Sequence, residues 1–452
     1  MYWRLGLVFA FAFSGLMLTP TSSLAVGETC DGLPATIVGS PGIAVKGTEG
    51  DDVIVSNGAG GVFGKGGNDT ICTTGSTRDV LVEGGAGVNL VDRRGDLDPA
   101  AGSLVFEANT FYGNDGRDVL TVTTTNTVAT GGGDDYVTFG DTNARYSEVA
   151  GTIDLGDGDD FFVADGDNGP LEPPSLRSQR TPKLTAIGGS GEDQLTMLAY
   201  HAGRWTFDAS RGRLSSGRVI ELAFRGFEDY ESGSFVDRVR LDFLGSSRSE
   251  SFYEADQSQG VVRSVRMGRG DDEVRVFGCG LCSSTDGVID GGSGRDLLKF
   301  QDFQKHKTVI NLAEHRFSRT RDGQTWTNRL AAVEDVQVYS YRTVTLTGDG
   351  HDNDLRVWGC REAVIRGGGG DDSLYYLAKF QLAPQFPVHS PEKGCERHLV
   401  NLIADGGAGR DLLRGGPGAD FLDGGPGRDT AVAGHGKDRC PEVEVRKGCE
   451  RR

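Results

Sequence analysis

Four nine-residue segments follow one another without a gap near the C-terminal end of the sequence, over residues 406–441. They read GGAGRDLLR, GGPGADFLD, GGPGRDTAV and AGHGKDRCP. In each segment Gly occupies the fourth position, an apolar residue occupies the eighth, and Asp occupies the sixth: Asp411, Asp420, Asp429 and Asp438. A unit this short cannot bury a hydrophobic face alone, so the repeat predicts stacked units of a solenoid.

The residue types of the repeat suit a cation site. Glycine permits positive φ, which lets the chain turn sharply and its carbonyls point at an ion. Aspartate supplies a hard oxygen, and Ca²⁺ takes six to eight carboxylate and carbonyl oxygens. The apolar residue two places after each Asp lies on one side of a short strand, facing the interior. The alternative is a glycine-rich solenoid that stacks without metal, but such a solenoid has no need of Asp in every turn.

The pattern resembles the hemolysin-type calcium-binding nonapeptide, GGxGxDxUx, of the RTX family. The resemblance implies an all-β fold, a parallel β-roll or right-handed β-helix solenoid that is built from these repeats, with two nonapeptides to a coil. The sparser repeats between the two ends predict that the solenoid is irregular in the middle. It implies several Ca²⁺ ions, each between turns two repeats apart, so that Asp411 faces Asp429 and Asp420 faces Asp438. The implied ligands in this tandem are those four carboxylates and the turn carbonyls of Gly406, Ala408, Gly415, Pro417, Gly424 and Pro426.

Eroded copies of the motif recur through the rest of the chain. Near the N-terminus, GTEGDDVIV and GKGGNDTIC place Asp52 and Asp69 in register, and GGAGVNLVD has Asn89 where Asp is expected. This stretch also resembles the opening of secreted bacterial calcium-binding repeat proteins. Isolated motifs then supply Asp79, Asp118, Asp135, Asp160, Asp193, Asp272, Asp296 and Asp372. Of these, Asp52, Asp69, Asp296 and Asp372 are predicted calcium ligands, whereas Asp118 is expected to lack a close acidic neighbour.

The long intervals without motifs predict ordinary β-helix coils. Trp205-Thr-Phe-Asp and Val219-Ile-Glu-Leu-Ala-Phe alternate as strands do. The segments Phe224-Arg-Gly-Phe-Glu-Asp and Ala332-Val-Glu-Asp-Val resemble each other, and both precede a strand-like run. The stretch from Thr347 to Leu355 is out of register with the repeat, so no ligand is assigned in it.

These patterns predict six regions. They are a signal peptide (1–25), N-terminal degenerate repeats (26–100), a sparse-repeat β-solenoid (101–165), a proline-rich linker (166–183), a β-solenoid with isolated repeats and an insertion at 377–399 (184–400), and C-terminal tandem repeats with a cysteine cap (401–452).

Charge and cysteine content indicate the surroundings in which the chain works. Asp and Glu number 65 against 47 Lys and Arg, a net charge of −18, which argues against nucleic acid or an anionic membrane as the main partner and favours cations. The eight cysteines are even in number, and disulfides are the default for an exported chain. Local pairing predicts Cys30–Cys72, Cys279–Cys282, Cys360–Cys395 and Cys440–Cys449.

The N-terminus reads as a cleavable secretory signal. Arg4 is followed by an apolar stretch up to Leu18, and Ser23-Leu24-Ala25 fits cleavage before Val26. Extracellular localisation is therefore expected, with no membrane span after cleavage. An uncleaved anchor is the alternative, although the apolar run is shorter than the roughly 18 residues that a span requires.

Catalytic signatures are absent from the sequence. It contains no HExxH, no GxSxG and no P-loop, so no metalloprotease, lipase or nucleotide-hydrolysing activity is indicated. The sequence therefore predicts a secreted calcium-ion-binding protein, not an enzyme, whose β-roll folds and is stabilised by Ca²⁺. Two alternatives stay open: a cell-envelope adhesin that holds a cell-surface or polysaccharide partner, and a polysaccharide-acting β-helix enzyme.

Overall fold

The computed structural model describes most of the chain between residues 28 and 450. The segments outside this description are 76–79, 85–88, 93–102, 107–109, 114, 123–126, 140–150, 166–183, 200–202, 218, 235–238, 255–260, 278–286, 303–305, 360–361 and 378–400. The predicted signal peptide, the predicted linker, all but one residue of the predicted insertion, Asp79, and the cysteine pairs 279–282 and 360–395 therefore lie outside the described residues.

Short strands make up almost all of the regular structure. In chain order they are β1 Thr29–Cys30, β2 Leu33–Pro34, β3 Ile37–Val38, β4 Val45–Lys46, β5 Val53–Val55, β6 Gly61–Phe63, β7 Thr70–Cys72, β8 Val80–Glu83, β9 Leu90–Asp92, β10 Ser103–Phe106, β11 Thr110–Tyr112, β12 Val119–Val122, β13 Thr127–Ala129, β14 Tyr136–Phe139, β15 Gly151–Asp157, β16 Phe161–Asp165, β17 Leu184–Ser190, β18 Gln194–Ala199, β19 Gly203–Asp208, β20 Arg213–Ser216, β21 Val219–Arg225, β22 Asp229–Ser234, β23 Val239–Leu244, β24 Ser251–Glu254, β25 Val261–Arg269, β26 Glu273–Phe277, β27 Val288–Ser293, β28 Leu297–Asp302, β29 Lys307–Asn311, β30 Arg316–Arg321, β31 Gln324–Ala331, β32 Asp335–Ser340, β33 Val344–Thr347, β34 Asp354–Gly359, β35 Ala363–Gly369, β36 Ser373–Tyr376, β37 Leu402–Ala408, β38 Leu412–Arg414, β39 Phe421–Asp423, β40 Thr430–Val432 and β41 Val445–Lys447. In the described part of the chain, the one helical element is a 3-10 turn at Ala209–Arg211.

The strands stack into a parallel β-solenoid, which confirms the predicted all-β fold. All odd-numbered strands from β3 to β39, together with β20 and β30, form one long sheet, called sheet one here. The even-numbered strands from β12 to β40, except β20 and β30, form sheet two together with β41, while β4, β6, β8 and β10 form a smaller N-terminal sheet. Successive coils pair in parallel, as β38 does with β40 through Leu412 and Thr430.

One continuous core runs between the sheets from Val45 to Val443. In the C-terminal tandem the apolar residue two places after each Asp enters this core: Leu413, Leu422, Ala431 and Cys440 are all buried. This follows from strand geometry, because residues two apart share a face. Each coil therefore covers the apolar face of the one before it.

Two excursions interrupt the parallel order of sheet one. β19, β20 and β21 form an antiparallel meander, and β29, β30 and β31 form a second. In spatial order, sheet one runs from β17 to β21, β20, β19 and then β23. Sheet two is not interrupted at this level, because β22 and β24 pair directly with each other. The prediction of ordinary coils in these intervals is wrong, because the chain reverses within each of them.

The meanders explain the two similar segments found in the sequence. Phe224 is the last residue but one of β21, the final strand of the first meander, and Ala332 directly follows β31, the final strand of the second. In both cases the chain then turns and enters sheet two, as β22 and β32. The two segments are thus equivalent corners of the solenoid, as their similarity predicted.

Disulfides tie both described ends of the stack. Cys30 is bonded to Cys72 of β7, and Cys440 is bonded to Cys449 beyond β41. Both pairings confirm the local pairing predicted from the sequence. The Cys440–Cys449 bridge fixes the terminal loop that follows the last tandem repeat.

Candidate metal centre

The aspartates of the motif stack into a ladder at one corner of the solenoid. This main ladder precedes the strands of sheet two and consists of Asp118, Asp135, Asp160, Asp193, Glu228, Glu250, Asp272, Asp296, Glu334, Asn353, Asp372, Asp411, Asp429 and Glu444. A second, shorter ladder precedes strands of sheet one. It consists of two separate stretches, Asp52, Asp69 and Asn89 near the N-terminus and Asp420 and Asp438 near the C-terminus. Asp438 precedes Arg439, which forms a single bridge to Phe421 of β39.

Most steps of a ladder are hydrogen bonds from a backbone N–H of one coil to the ladder side chain of the next. At Glu228–Glu250 and Glu334–Asn353 the coils are joined instead by Ser251 N–H to the Glu228 carbonyl and by Asn353 Nδ2 to the Glu334 carbonyl. The backbone N–H of Asp372 donates to Oδ1 of Asp411 at 2.8 Å, and that of Asp411 donates to Oδ1 of Asp429 at 2.8 Å. In the second ladder, Asp420 N–H donates to Oδ1 of Asp438 at 2.9 Å. The Asp pairs that the resemblance placed face to face are therefore consecutive steps, one coil apart.

A third row of polar groups lies outside the main ladder and runs in the opposite sense. Here the N–H of a later coil donates to the side chain of an earlier one, as from Arg410 to Asp371 Oδ1 at 2.8 Å and from Asp371 to Asp352 Oδ1. These residues precede the ladder residue by one position and are exposed. The two opposed rows lock neighbouring turns together through their backbones.

The first glycine of each motif is required by this packing. A Cβ built on Gly406 would lie 2.4 Å from Asp411 Oδ2 and 2.6 Å from the carbonyl oxygen of Gly424 in the next coil. Gly424 and Gly415 are enclosed in the same way by their own Asp and by a carbonyl of the following coil. The turn therefore brings a carboxylate oxygen and a carbonyl oxygen close together, with no room for a side chain.

A scan against protein-family models matches this part of the chain. The RTX calcium-binding nonapeptide repeat is found in four copies over residues 364–378 and 403–439. These two segments are RTX calcium-binding repeats. They contain Asp372, Asp411, Asp420, Asp429 and Asp438. A search of curated proteins found no match to the chain.

Most ladder carboxylates, inside and outside the matched segments, have one oxygen that no described residue reaches with a hydrogen-bond donor. These oxygens are the buried Oδ2 atoms of Asp69, Asp160, Asp193, Asp272, Asp296, Asp372, Asp411, Asp429 and Asp438. A buried carboxylate oxygen without a donor is costly. Because its neighbours in the turn are carbonyl oxygens, the donor set is that of a hard divalent cation such as Ca²⁺.

Two predicted ligands, Asp420 and Asp52, have a hydrogen-bond donor on the second carboxylate oxygen as well. Asp420 Oδ2 accepts a hydrogen bond from Gly416 N–H at 2.7 Å, and Asp52 Oδ2 accepts one from Thr48 N–H at 2.6 Å. Their second oxygens are already satisfied within their own turns. Asp411, Asp429 and Asp438 are therefore the aspartates of the tandem whose second oxygen is left to offer to an ion.

Backbone carbonyls are needed to complete any site on the ladder. Among the described residues, no three His, Cys, Asp or Glu side chains lie close enough to hold a metal ion by themselves. The carbonyls of Ala408 and Pro426 each accept one N–H of the preceding coil, from Gly370 at 3.0 Å and from Gly409 at 3.1 Å. A carbonyl oxygen has two lone pairs, so these bonds leave capacity for an ion. The ligand roles of Gly406, Gly415, Pro417 and Gly424 stay predictions.

The structure corrects one expectation and extends the ladder beyond the motif. Asp118 is not isolated, because its N–H donates to Asp135 Oδ1 at 2.7 Å in the neighbouring coil. The spacing of 17 residues is one whole coil, so motifs that are distant in sequence become adjacent in space.

Sequence reasoning missed Glu228, Glu250, Glu334, Asn353 and Glu444, all of which occupy ladder positions. Their shared signal is an acid or amide just before a strand of sheet two.

Burial raises the pKa values of most ladder carboxylates. Loss of solvation, reinforced by the charge of the neighbouring carboxylates, raises the pKa of most ladder acids. It raises the pKa of Asp135 to about 8, of Asp160, Asp272 and Asp372 to about 7, and of Asp193, Asp296 and Asp411 to about 6. In the absence of a cation, the ladder is thus more stable when partly protonated.

This predicts an inverted pH dependence for the metal-free protein. Because the folded pKa values lie above the unfolded value of 3.8, the folded state binds more protons between pH 4 and pH 8, and its stability falls as pH rises through this window. Urea midpoints measured in chelator at pH 5, 6, 7 and 8 should therefore decrease with pH. Saturating Ca²⁺ should flatten the profile. A midpoint in chelator that rises from pH 5 to pH 8 would contradict this account of the ladder.

Proposed function

We propose that the chain is a secreted calcium-binding protein whose solenoid is completed by Ca²⁺ outside the cell. One observation carries the proposal: the RTX repeats stack so that buried Oδ2 atoms of Asp372, Asp411 and Asp429 lie in consecutive coils without donors. Ca²⁺ would supply the positive charge that this row of oxygens lacks. The protein's contribution is a rigid row of turns that fixes the spacing of the oxygens.

The proposed ligands are the carboxylates of both ladders and the turn carbonyls of the tandem. Asp411 and Asp429, on the main ladder, are proposed as the strongest, with Asp420 and Asp438 on the second. Asp52, Asp69, Asp296 and Asp372 are proposed for further ions along the stack. The division of the chain into degenerate, sparse and tandem repeat regions is part of the same proposal.

Secretion and the lack of catalysis are also proposed. Export is supported by the signal-like N-terminus and by two disulfides. No helix among the described residues is long and apolar enough to span a membrane. A non-catalytic role is supported by the ladder itself, since nearly all of its carboxylates are buried and engaged with backbone rather than exposed in a cleft.

Calorimetry on the full chain tests the calcium proposal directly. Asp411→Asn retains an amide oxygen for the Asp372 N–H but removes the charge, so it is expected to weaken binding at the C-terminal repeats by about tenfold. The matched control is Asp371→Asn, one coil earlier in the exposed outer row, where the side chain accepts from Arg410 N–H in the same manner. This control should bind as the parent does.

Two results would overturn the proposal. One is the absence of binding heat for Ca²⁺ at concentrations up to roughly 10 mM, ten times the weakest affinity usual for extracellular modules. The other is an equal loss in both variants, because that would make binding a general effect of surface charge.

A further inference from the structure

A row of arginines covers the outer face of sheet one in its central part. The residues that point away from the core on the adjacent strands β19, β23, β25, β27, β31 and β30 include Arg204, Arg240, Arg263, Arg266, Arg329 and Arg316, all of them exposed. The acids on these strands that share the outer face are Asp208, Asp242 and Asp290, and Asp208 is paired with Arg211. Arg316 is paired with Glu314 in the turn before β30. Such a patch is unexpected in a protein with a net charge of −18.

The patch contains a cavity of about 350 Å³. Its lining includes Arg204, Arg263, Arg266, Asp242 and Ser264, with Thr206, Leu244 and Val288 completing the wall. The volume lies at the small end of the range of ligand pockets, roughly 300–1,000 Å³. It is suited to one ring of a larger ligand that continues across the sheet.

A β-bulge shapes this cavity. Leu241 pairs with Val262, but the next residue, Asp242, pairs with Ser264, so that Arg263 is an extra residue in β25. Bulges redirect side chains and are frequent beside functional sites. Here the bulge brings Arg263 and Arg266 to the same side of one strand, three residues apart, whereas regular alternation would separate them.

Asp242 organises the cavity without neutralising it. Its side chain is only 10% exposed and is bonded to Arg204 Nε at 2.9 Å and to Ser264 Oγ at 2.6 Å. Ser264 Oγ in turn accepts from a terminal guanidinium nitrogen of Arg266 at 2.9 Å. Because Asp242 is occupied by Arg204, neither Arg263 nor Arg266 forms an ion pair with any residue that the structure describes.

We propose that this face binds an acidic polysaccharide through its carboxylate or sulfate groups, with one anionic sugar in the cavity. Guanidinium groups hold such anions with paired hydrogen bonds. The arginines of β19, β23 and β25 lie on adjacent parallel strands about 4.8 Å apart, so a linear chain can extend along them. Beyond β27, which contributes Asp290 instead, the arginines of β31 and β30 continue the row. Among the described residues, the cavity lining has no aromatic ring on which a nucleic-acid base could stack. The proposal is independent of calcium binding, since the cavity contains no ladder residue.

Binding to defined oligosaccharides tests the proposal on the full-length protein in the presence of Ca²⁺. The probes are a galacturonate hexasaccharide, a sulfated hexasaccharide, a neutral hexasaccharide and a 20-base-pair DNA duplex. The double variant Arg263→Gln/Arg266→Gln is expected to lose about tenfold or more in affinity for an acidic sugar. The control Arg366→Gln removes an exposed, outward-facing arginine of β35 in the same sheet and should leave affinity within about twofold.

Each outcome decides the proposal. Binding of either acidic sugar that the double variant loses and the control retains supports it, and the two probes distinguish carboxylate from sulfate as the preferred group. Binding of DNA alone, equal losses in both variants, or no binding of an acidic sugar would overturn it. All substituted positions are exposed, and unchanged circular dichroism and melting would show that the variants fold as the parent does.

Discussion

Calcium added to the metal-free protein is expected to raise its unfolding midpoint strongly, and magnesium is expected to do so poorly. A ligand that binds only the folded state stabilises it by mass action, by about 2.7 kcal/mol per site when the free ligand is one hundred times Kd. The ladder sites proposed above lie on one stack, so their contributions are expected to accumulate. Mg²⁺ demands a small octahedral shell and loses water reluctantly, which the spread-out carbonyl and carboxylate oxygens of these turns do not match.

Thermal or urea unfolding followed by circular dichroism measures this effect. The comparison needs chelator, about 10 mM Ca²⁺ and about 10 mM Mg²⁺ at one ionic strength and pH. If the midpoint in chelator equals that in calcium, the repeats stack without the ion, and the buried oxygens of Asp411 and Asp429 are tolerated by some other means. If magnesium equals calcium, the site is not selective in the way its donor set suggests.

Gly367→Ala is expected to be among the most destabilising single substitutions in the chain. A methyl group there would lie 2.2 Å from Asp372 Oδ2 and 2.4 Å from the carbonyl oxygen of Gly406 in the next coil, and the second of these is backbone that cannot move without disturbing the stack. Overpacking of this kind costs about 3 kcal/mol or more. The loss should appear in unfolding experiments with and without calcium, because the clash exists in both states.

Gly350→Ala is the matched control for this substitution. Gly350 lies in the turn of the adjacent coil, where an added methyl group would meet no atom within 4 Å. Its stability should change by less than about 1 kcal/mol. If both alanine variants unfold at the same midpoint, the first glycine of the motif serves some purpose other than close approach between coils.

The fold of the C-terminal tandem and the positions of its aspartates could be predicted from the sequence, because each repeat is specified by nine consecutive residues. Nine residues specify a turn, an acid and an inward apolar residue, and their recurrence at Asp411, Asp420, Asp429 and Asp438 predicts the stacking partner of each. The isolated motifs were harder to place, since the length of a coil varies between them. Asp118 and Asp135 are one 17-residue coil apart, whereas Asp160 and Asp193 are separated by 33 residues and are still consecutive steps.

The meanders could not be predicted from the motif, but one of them had a signal of its own. Asp322 and Gly323 both have positive φ, at 50° and 81°, and form the tight hairpin between β30 and β31. An Asp-Gly pair between alternating runs is a strong hairpin signal. The prediction of ordinary coils in this interval is wrong because it follows from the surrounding solenoid and neglects the Asp-Gly pair. The ladder positions of Glu334 and Asn353 were missed because they lack the glycines of the motif.

The two meanders and the terminal disulfide also affect how the coils of the solenoid are aligned with one another. Any ladder aspartate can accept the N–H of any other, so a chain made only of identical coils could slip by a whole coil and still satisfy its hydrogen bonds. Each three-stranded meander has no counterpart in the next coil, and the bond between Cys440 and Cys449 fixes the loop at the end of the stack. These irregular elements therefore break the translational symmetry of the repeat and leave a single alignment in which every coil has its proper neighbour.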